Sequence, residues 1–283
     1  MFENIKGKLS QNAILIEKAL DDYYNYTDKD YASLIEAQRY GLLGGGKRVR
    51  AFIVLELCRL FGGDIKQAIP YACAIEMIHA SSLIHDDMPC MDNDDMRRGK
   101  ASTHKAFGET LALISGDAML VNAFETAIKN PYCDAKVNAK AVSILAESTG
   151  NHGMLAGQAI DTVAGKNKLD FETLVRLHKL KTGKLISASA KLGCIAAGVT
   201  TDDEKYVSAV KYAEDIGLAF QIIDDILDYQ EGKKELNSFL SFMSLDQAKE
   251  YASKLTESGI FAISSYDDGT LTELAEYLTT REY

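Results

Sequence analysis

The chain has 283 residues, 47% of them hydrophobic and 25% charged, with a formal net charge of −10 at pH 7. That apolar share supports a full core and argues against disorder, while the negative balance argues against a nucleic-acid partner, which needs a net basic face. Three prolines, no low-complexity linker and five widely spaced cysteines without a C-x-x-C pair predict one domain over residues 1–283, with reduced thiols in the cytoplasm.

The opening MFENIKGKLSQNAILIEKAL holds no basic segment feeding a long apolar run, so no secretory signal is expected. No eighteen consecutive apolar residues occur, which predicts no membrane span. At 41–50, GLLGGGKRVR has the glycine–lysine spacing of a nucleotide phosphate loop, but Arg48 stands where Ser or Thr must ligate magnesium and no strand-like run precedes it. The glycines would still deliver Lys47, Arg48 and Arg50 to an anion; the plainer alternative is a basic loop in solvent.

YACAIEMIHASSLIHDDM, 71–88, steps by three and four and reads as a helix. Its Glu76 and His79 form one Glu-x-x-His pair, and a di-iron site would need a second. His79 and Asp86, seven apart, share a helical face. Pro89 disfavours helix at the residue before it, so the helix should end near Met88 and a loop can fold Asp92 back toward Asp86. Five aspartates fall between Asp86 and Asp95, and Arg97 and Arg98 follow at once. Such carboxylates repel unless a cation sits among them. An acidic loop in solvent is the plain alternative. An EF-hand is excluded, because counting from Asp92 puts Met96 at the third ligand position and no glycine follows.

DAKVNAKAVSILAEST, 134–149, reads as a helix stopped by Gly150. In HKLKTGKL, Lys181 and Lys184 fall on one helical face, and Thr182-Gly183 should loosen the turn. Over 201–229, Thr201 and Glu204 predict a capping box, and Val207, Val210, Ala213, Gly217, Phe220, Ile223 and Leu227 form an apolar stripe. Beside that stripe, Gln221, Asp224, Asp225 and Asp228 project at spacings of three and four. No strong alternating β-branched run appears, so the fold class is all-α, a large helical bundle. Two carboxylate clusters without His or Cys suit magnesium, which completes its shell with water and substrate phosphate. With cation clusters in an apolar bundle, they point to a substrate with a diphosphate head and a greasy tail.

GGGKRVR, EMIHASSLIHDDMPCMDNDDMRRGK, GMLAGQAID, KTGKL and FQIIDDILD, in this order, resemble the trans-prenyltransferases, the short-chain isoprenyl diphosphate synthases that make farnesyl and geranylgeranyl diphosphate. The likeness runs from about Leu34 to Tyr229. It implies a single polyprenyl synthase domain of helices around a central prenyl tunnel, a homodimer, and condensation of isopentenyl diphosphate with an allylic diphosphate, dimethylallyl or geranyl. It further implies that Asp86, Asp92 and Asp224 hold three magnesium ions, supported by Asp87, Asp225 and Asp228. Arg97, Lys181 and Gln221 would contact the allylic substrate; Lys47, Arg50, His79 and Arg98 would hold isopentenyl diphosphate; Thr182 would face the forming cation. Ala51 replaces a usual proline. The loop after Asp228 is shorter by roughly a dozen residues by eye, leaving Lys233 and Lys234 as its cations and the third magnesium less supported. Ser81 and Ser82, before the first Asp motif, fall along the tunnel floor. The four-residue spacer in DDMPCMD implies farnesyl diphosphate as product, with geranylgeranyl diphosphate the alternative. A non-catalytic partner subunit and a terpene cyclase are the rival readings; the cyclase would not need Lys47, Arg50 and His79.

Overall fold

A computed structural model describes residues 2–26, 28–165, 167–230, 232 and 236–280. The described elements begin with α1 (Glu3–Tyr23), α2 (Ala32–Leu42), α3 (Val49–Leu60) and α4 (Ile65–Asp86). A small hairpin, β1 (Met96–Arg97) and β2 (Lys100–Ala101), leads into α5 (Thr103–Phe107), α6 (Glu109–Ile128), α7 (Ala135–Thr149) and α8 (Met154–Ala164). Then come α9 (Phe171–His178), a π-helical turn Lys179–Gly183, and α10 (Lys184–Ala196). The long α11 (Glu204–Gln230), a 3₁₀ turn Phe239–Ser241, α12 (Leu245–Ile263) and α13 (Thr270–Thr279) complete it. The fold is all-α, as the periodicity implies.

Local chemistry sets the helix starts. Asp64 caps α4, accepting from Lys66 N at 2.9 Å, while its own backbone N–H donates to Gln67 Oε1 at 3.3 Å. Asp134 caps α7 and Gly150 follows it. At α11 the structure corrects the expected Thr201–Glu204 box. Asp203 accepts from Lys205 N at 2.8 Å, because it lies directly before the first turn and Thr201 lies two residues further out.

The helices α4 and α10 are buried nearly all round, from Tyr71 to Ile78 and from Leu185 to Ala190. A helix apolar on every side belongs inside a bundle. Here α1, α2, α3, α6 and α7 surround α4, and a second apolar cluster joins α3, α10, α11 and α13. Of the stripe expected on α11, Ala213, Gly217 and Leu227 are buried, Val210, Phe220 and Ile223 half-buried, and Val207 exposed. Burial extends further round the helix, to Ala209, Tyr212, Ile216, Ala219, Ile222 and Ile226. Phe220 of the expected stripe borders a cavity.

Among the described residues, α6 is long and apolar enough by length and composition to cross a bilayer. It is not an unbroken apolar run: Asp117, Asn122 and Glu125 interrupt it. One side packs Ala112, Met119 and Ala123 into the core; the other exposes Leu113, Ile114, Val121 and Ile128.

Candidate active site

The first Asp motif is built where α4 stops. Asp87 is the C-cap, and the Asp92 backbone N–H returns to the Asp86 carbonyl at 2.9 Å, so Asp92 comes back beside Asp86 as expected of the loop after Pro89. Asn93 takes a left-handed φ of 55° to make that reversal. Burial, then the neighbouring Asp92, pushes Asp86 up to about 6, with Lys181 pulling the other way. Asp92 is raised as well, again by burial first, against Lys181. Asp87 does something else: it is buried and receives both Arg97 Nε, at 2.9 Å, and Arg97 Nη2. Arg97 also reaches Asp94 at 3.0 Å.

Lys181 lies in the π-helical turn, so a regular i, i+3 face shared with Lys184 does not form; one extra residue in the turn carries the looseness expected of Thr182-Gly183. Its ammonium bonds Asp161 Oδ2 at 2.6 Å. Burial lowers Lys181, but Asp161, Asp86 and Asp92 outweigh it and hold the residue above the ordinary lysine range. Gly157 makes this approach possible, since a Cβ there would lie 2.3 Å from the Lys181 backbone nitrogen. Asp161, one turn further along α8, is thereby set against Lys181. The GMLAGQAID motif contains both residues, but nothing in the sequence alone gave Asp161 a partner.

The second Asp motif comes to the same turn from α11. Thr182 Oγ1 donates to Gln221 Oε1 at 3.0 Å, and Gln221 Nε2 donates to Asp224 Oδ2 at 3.2 Å. Asp225 accepts the Phe239 backbone N–H at 2.7 Å, which ties the end of α11 to the segment that follows the shortened loop. Asp228 is half-buried on the same helix. Lys233 and Lys234 lie outside the described residues.

The cations border a cavity of about 130 Å³ lined by Lys47, Arg48, Arg50, Glu76, His79 and Arg98, with Ile53, Ile186, Ile216, Phe220 and Leu278 as apolar wall. Burial lowers Arg50, Glu76 partly restores it and Arg98 opposes it. Its buried Nε has no hydrogen-bond partner among the described residues. Burial, then Arg50, Arg98, Arg48 and Arg97, hold His79 well below the ordinary histidine range. Cations packed this closely are short of an anion. Lys47 stands over the Tyr277 ring at 4.8 Å, so α13 reaches the cavity from the far end of the chain.

Arg48 departs from the expected cradle. Its guanidinium is buried, bonds Glu76 Oε2 at 3.3 Å, Glu17 Oε1 at 3.2 Å and the Leu42 carbonyl, and so is already neutralised. Glu76 also accepts the Ala51 N–H at 3.1 Å, and that is the use of the lone Glu-x-x-His glutamate. The hairpin explains the glycine run. Arg98 and Gly99 form its two-residue turn with φ of 53° and 76°, and Arg98 donates to the Gly45 carbonyl. Gly46 has φ 122°, and a Cβ there would meet the Arg98 guanidinium at 3.1 Å.

Among the described residues no three carboxylate, His or Cys groups gather closely enough to enclose an ion by themselves. Hard oxygen donors with Asp86 pushed up by burial and by Asp92 fit a divalent cation that takes the rest of its shell from water and phosphate.

An all-α bundle with two Asp-rich motifs at one turn and a cation-lined cavity has the charges that suit a diphosphate-bearing substrate. The sequence matches the polyprenyl synthetase family over residues 31–240. It is 39% identical to the heterodimeric geranylgeranyl pyrophosphate synthase large subunit 1, chloroplastic, of Arabidopsis thaliana, over 95% of this chain and 77% of that one. It is 38% identical to the chloroplastic geranylgeranyl pyrophosphate synthase of Capsicum annuum, over 99% and 79%. The apo crystal structure of a farnesyl/geranylfarnesyl diphosphate synthase of Zymomonas mobilis superposes with a TM-score of 0.92 at 38% identity, over 99% of this chain and 100% of that one. The chain belongs to the polyprenyl synthetase family and is an enzyme of prenyl chain elongation. The family joins isopentenyl diphosphate to allylic diphosphates and uses a divalent metal.

Proposed function

We propose that this enzyme condenses isopentenyl diphosphate with an allylic diphosphate in a magnesium-dependent reaction, with geranylgeranyl diphosphate as the main product. The observation that carries the reading is the convergence of both Asp motifs on one helical turn. Lys181 acts on Asp86 and Asp92 from one side of it, and Thr182 and Gln221 lead to Asp224 on the other. Asp86, Asp92 and Asp224 would hold magnesium, with Asp225 and Asp228 beside them. When bound, the metal neutralises charge on the leaving diphosphate.

In this reading Lys181 exchanges Asp161 for the allylic diphosphate, and Arg97 supports it across Asp87. As the carbon–oxygen bond breaks, these fixed charges stabilise the developing anion without reorganising. Lys47, Arg50, His79 and Arg98 hold isopentenyl diphosphate in the cavity, whose apolar wall of Ile186, Ile216 and Phe220 keeps water from the allylic cation. Thr182 and Gln221 present oxygen beside that cation. The double bond attacks, and a proton is lost to the departed diphosphate.

The curated relatives are named for geranylgeranyl products, and this moves the balance from the farnesyl product that the motif spacer implies. The small Ser81 and Ser82 agree with a longer chain. The reading keeps a homodimer, for which the exposed apolar side of α6 offers a surface, and a cytoplasmic enzyme with five unpaired cysteines. The test is purified protein with magnesium, radiolabelled isopentenyl diphosphate and geranyl diphosphate. Acid-labile C20 product supports the reading, a released hydrocarbon would mean a cyclase, and no turnover would mean a partner subunit.

A further inference from the structure

Behind the reacting-site amide sits a histidine with no assigned task. His178 ends α9, is buried, and stacks on the Phe239 ring at 5.2 Å and 22°. Its Nδ1 lies 3.4 Å from Gln221 Oε1, the oxygen that also accepts the Thr182 hydroxyl. We propose that His178 is a positioning residue, whose Nδ1–H fixes the direction of the Gln221 amide and, through it, the Asp224 carboxylate.

The assignment follows from donors and acceptors. An ionised carboxylate only accepts, so the amide nitrogen of Gln221 must face Asp224 and its oxygen must face back toward His178. The imidazole nitrogen that meets this oxygen must then carry the proton. The other nitrogen, His178 Nε2, is buried without a hydrogen-bond partner among the described residues. With the proton on Nδ1 only the Nε2 lone pair goes unpaired, whereas with the proton on Nε2 both nitrogens would, so burial selects the same tautomer. Two donors converging on one oxygen leave the amide one orientation. Without His178, the Thr182 hydroxyl serves either amide orientation, since it both donates and accepts. Phe239 closes the arrangement. It packs under the imidazole while its backbone N–H holds Asp225, so the segment after the shortened loop braces His178 and the second Asp motif together.

The inference rests on the prenyl-transfer reading for its kinetic consequence but not for its structural one, and the experiment uses both. In the full-length protein, long-range ¹⁵N–¹H spectra should show His178 as the Nδ1–H tautomer, and Gln221→Met should remove that bias. An Nε2–H tautomer in the unaltered protein would overturn the proposal whatever the enzyme does. In the prenyl-transfer assay, His178→Phe keeps a ring for Phe239 and removes the donor. It should lower kcat roughly fivefold or more, the size of one lost hydrogen bond, with both KM values within about twofold. His178→Asn, whose amide nitrogen replaces Nδ1, should recover most of that loss. The double variant His178→Phe with Gln221→Met should be no slower than Gln221→Met alone, because the two act as one unit. Unchanged kcat in His178→Phe, or losses that multiply in the double variant, would leave His178 as packing only. Should His178→Phe fail to fold, His178→Asn against His178→Gln decides: the proposal requires the first to be active and the second impaired. An unaltered enzyme without prenyl transfer overturns the functional reading, while the tautomer still decides this one.

Discussion

Arg48 and Arg50 stand two apart in one basic run, yet Glu76 and Glu17 neutralise the first while the second keeps a buried Nε without a partner among the described residues. Arg50→Ala should therefore raise the KM for isopentenyl diphosphate about tenfold, since a charge-assisted hydrogen bond is worth roughly 1.5–3 kcal/mol. The KM for the allylic substrate should stay nearly constant; an equal rise in both would merge the two pockets. Glu76→Ala should instead act on stability, costing about 1.5–3 kcal/mol by removing the buried partner of Arg48, which keeps only Glu17 and the Leu42 carbonyl, and of the Ala51 N–H. Calorimetric melting measures it, and an unchanged midpoint would remove Arg48 from the core. Asp86→Ala and Asp224→Ala should each lower turnover at least ~10²-fold at saturating magnesium, because leaving-group charge grows only as the bond breaks. Near-normal turnover in either would sink the metal assignment. At this scale the sequence announces charge but not its ownership. Five crowded aspartates are visible in a string, but that Arg97 occupies Asp87 and Lys181 occupies Asp161 depends on contacts between residues ten and twenty apart.

Elements were legible wherever burial follows one period. The helices α4 and α7 run as their steps of three and four predict, and Pro89 and Gly150 lie just beyond their ends. The full width of the buried face of α11 was not, because a helix packed by α10, α12 and α13 buries more than the one stripe that its period shows. Nor was the π-helical turn, against which α8 packs Gly157 at Lys181. Gly157→Ala should thus displace α8 at a cost of about 1–3 kcal/mol and lower kcat by freeing Lys181 from its position. A variant with normal stability and turnover would show that the turn does not depend on this approach. Ser81 lies between α4 and α6, buried, with its hydroxyl on the Gly116 carbonyl at 2.9 Å. Ser81→Phe should shift products toward shorter chains, as read by chromatography after dephosphorylation. An unchanged distribution would mean the growing chain does not pass between these helices.

Across the whole molecule, two titratable groups, the buried His178 and the half-buried Asp86, oppose each other in their response to acid. Burial lowers His178 to about 4, while its hydrogen bond to Gln221 Oε1 partly restores it. The unfolded chain therefore takes up this proton more readily, so the contribution of His178 is complete above pH 6.5 and is lost as pH falls toward 4. Asp86 runs the other way. Raised from 3.8 to about 6, it penalises the fold when ionised, and that penalty disappears as pH falls from 6 toward 4. For His178 the span corresponds to at most ~3 kcal/mol; the partly exposed Asp86 counts for less, since solvent screens it. The two contributions offset one another between pH 6 and 4 in the unaltered protein with chelator present. Removing one should expose the other: relative to the unaltered protein, His178→Phe should gain stability as pH falls through this window, and Asp86→Asn should lose it. Urea titrations at pH 6.5, 5.5 and 4.5 would measure both differences. Parallel curves for all three proteins would mean that neither group titrates differently on folding.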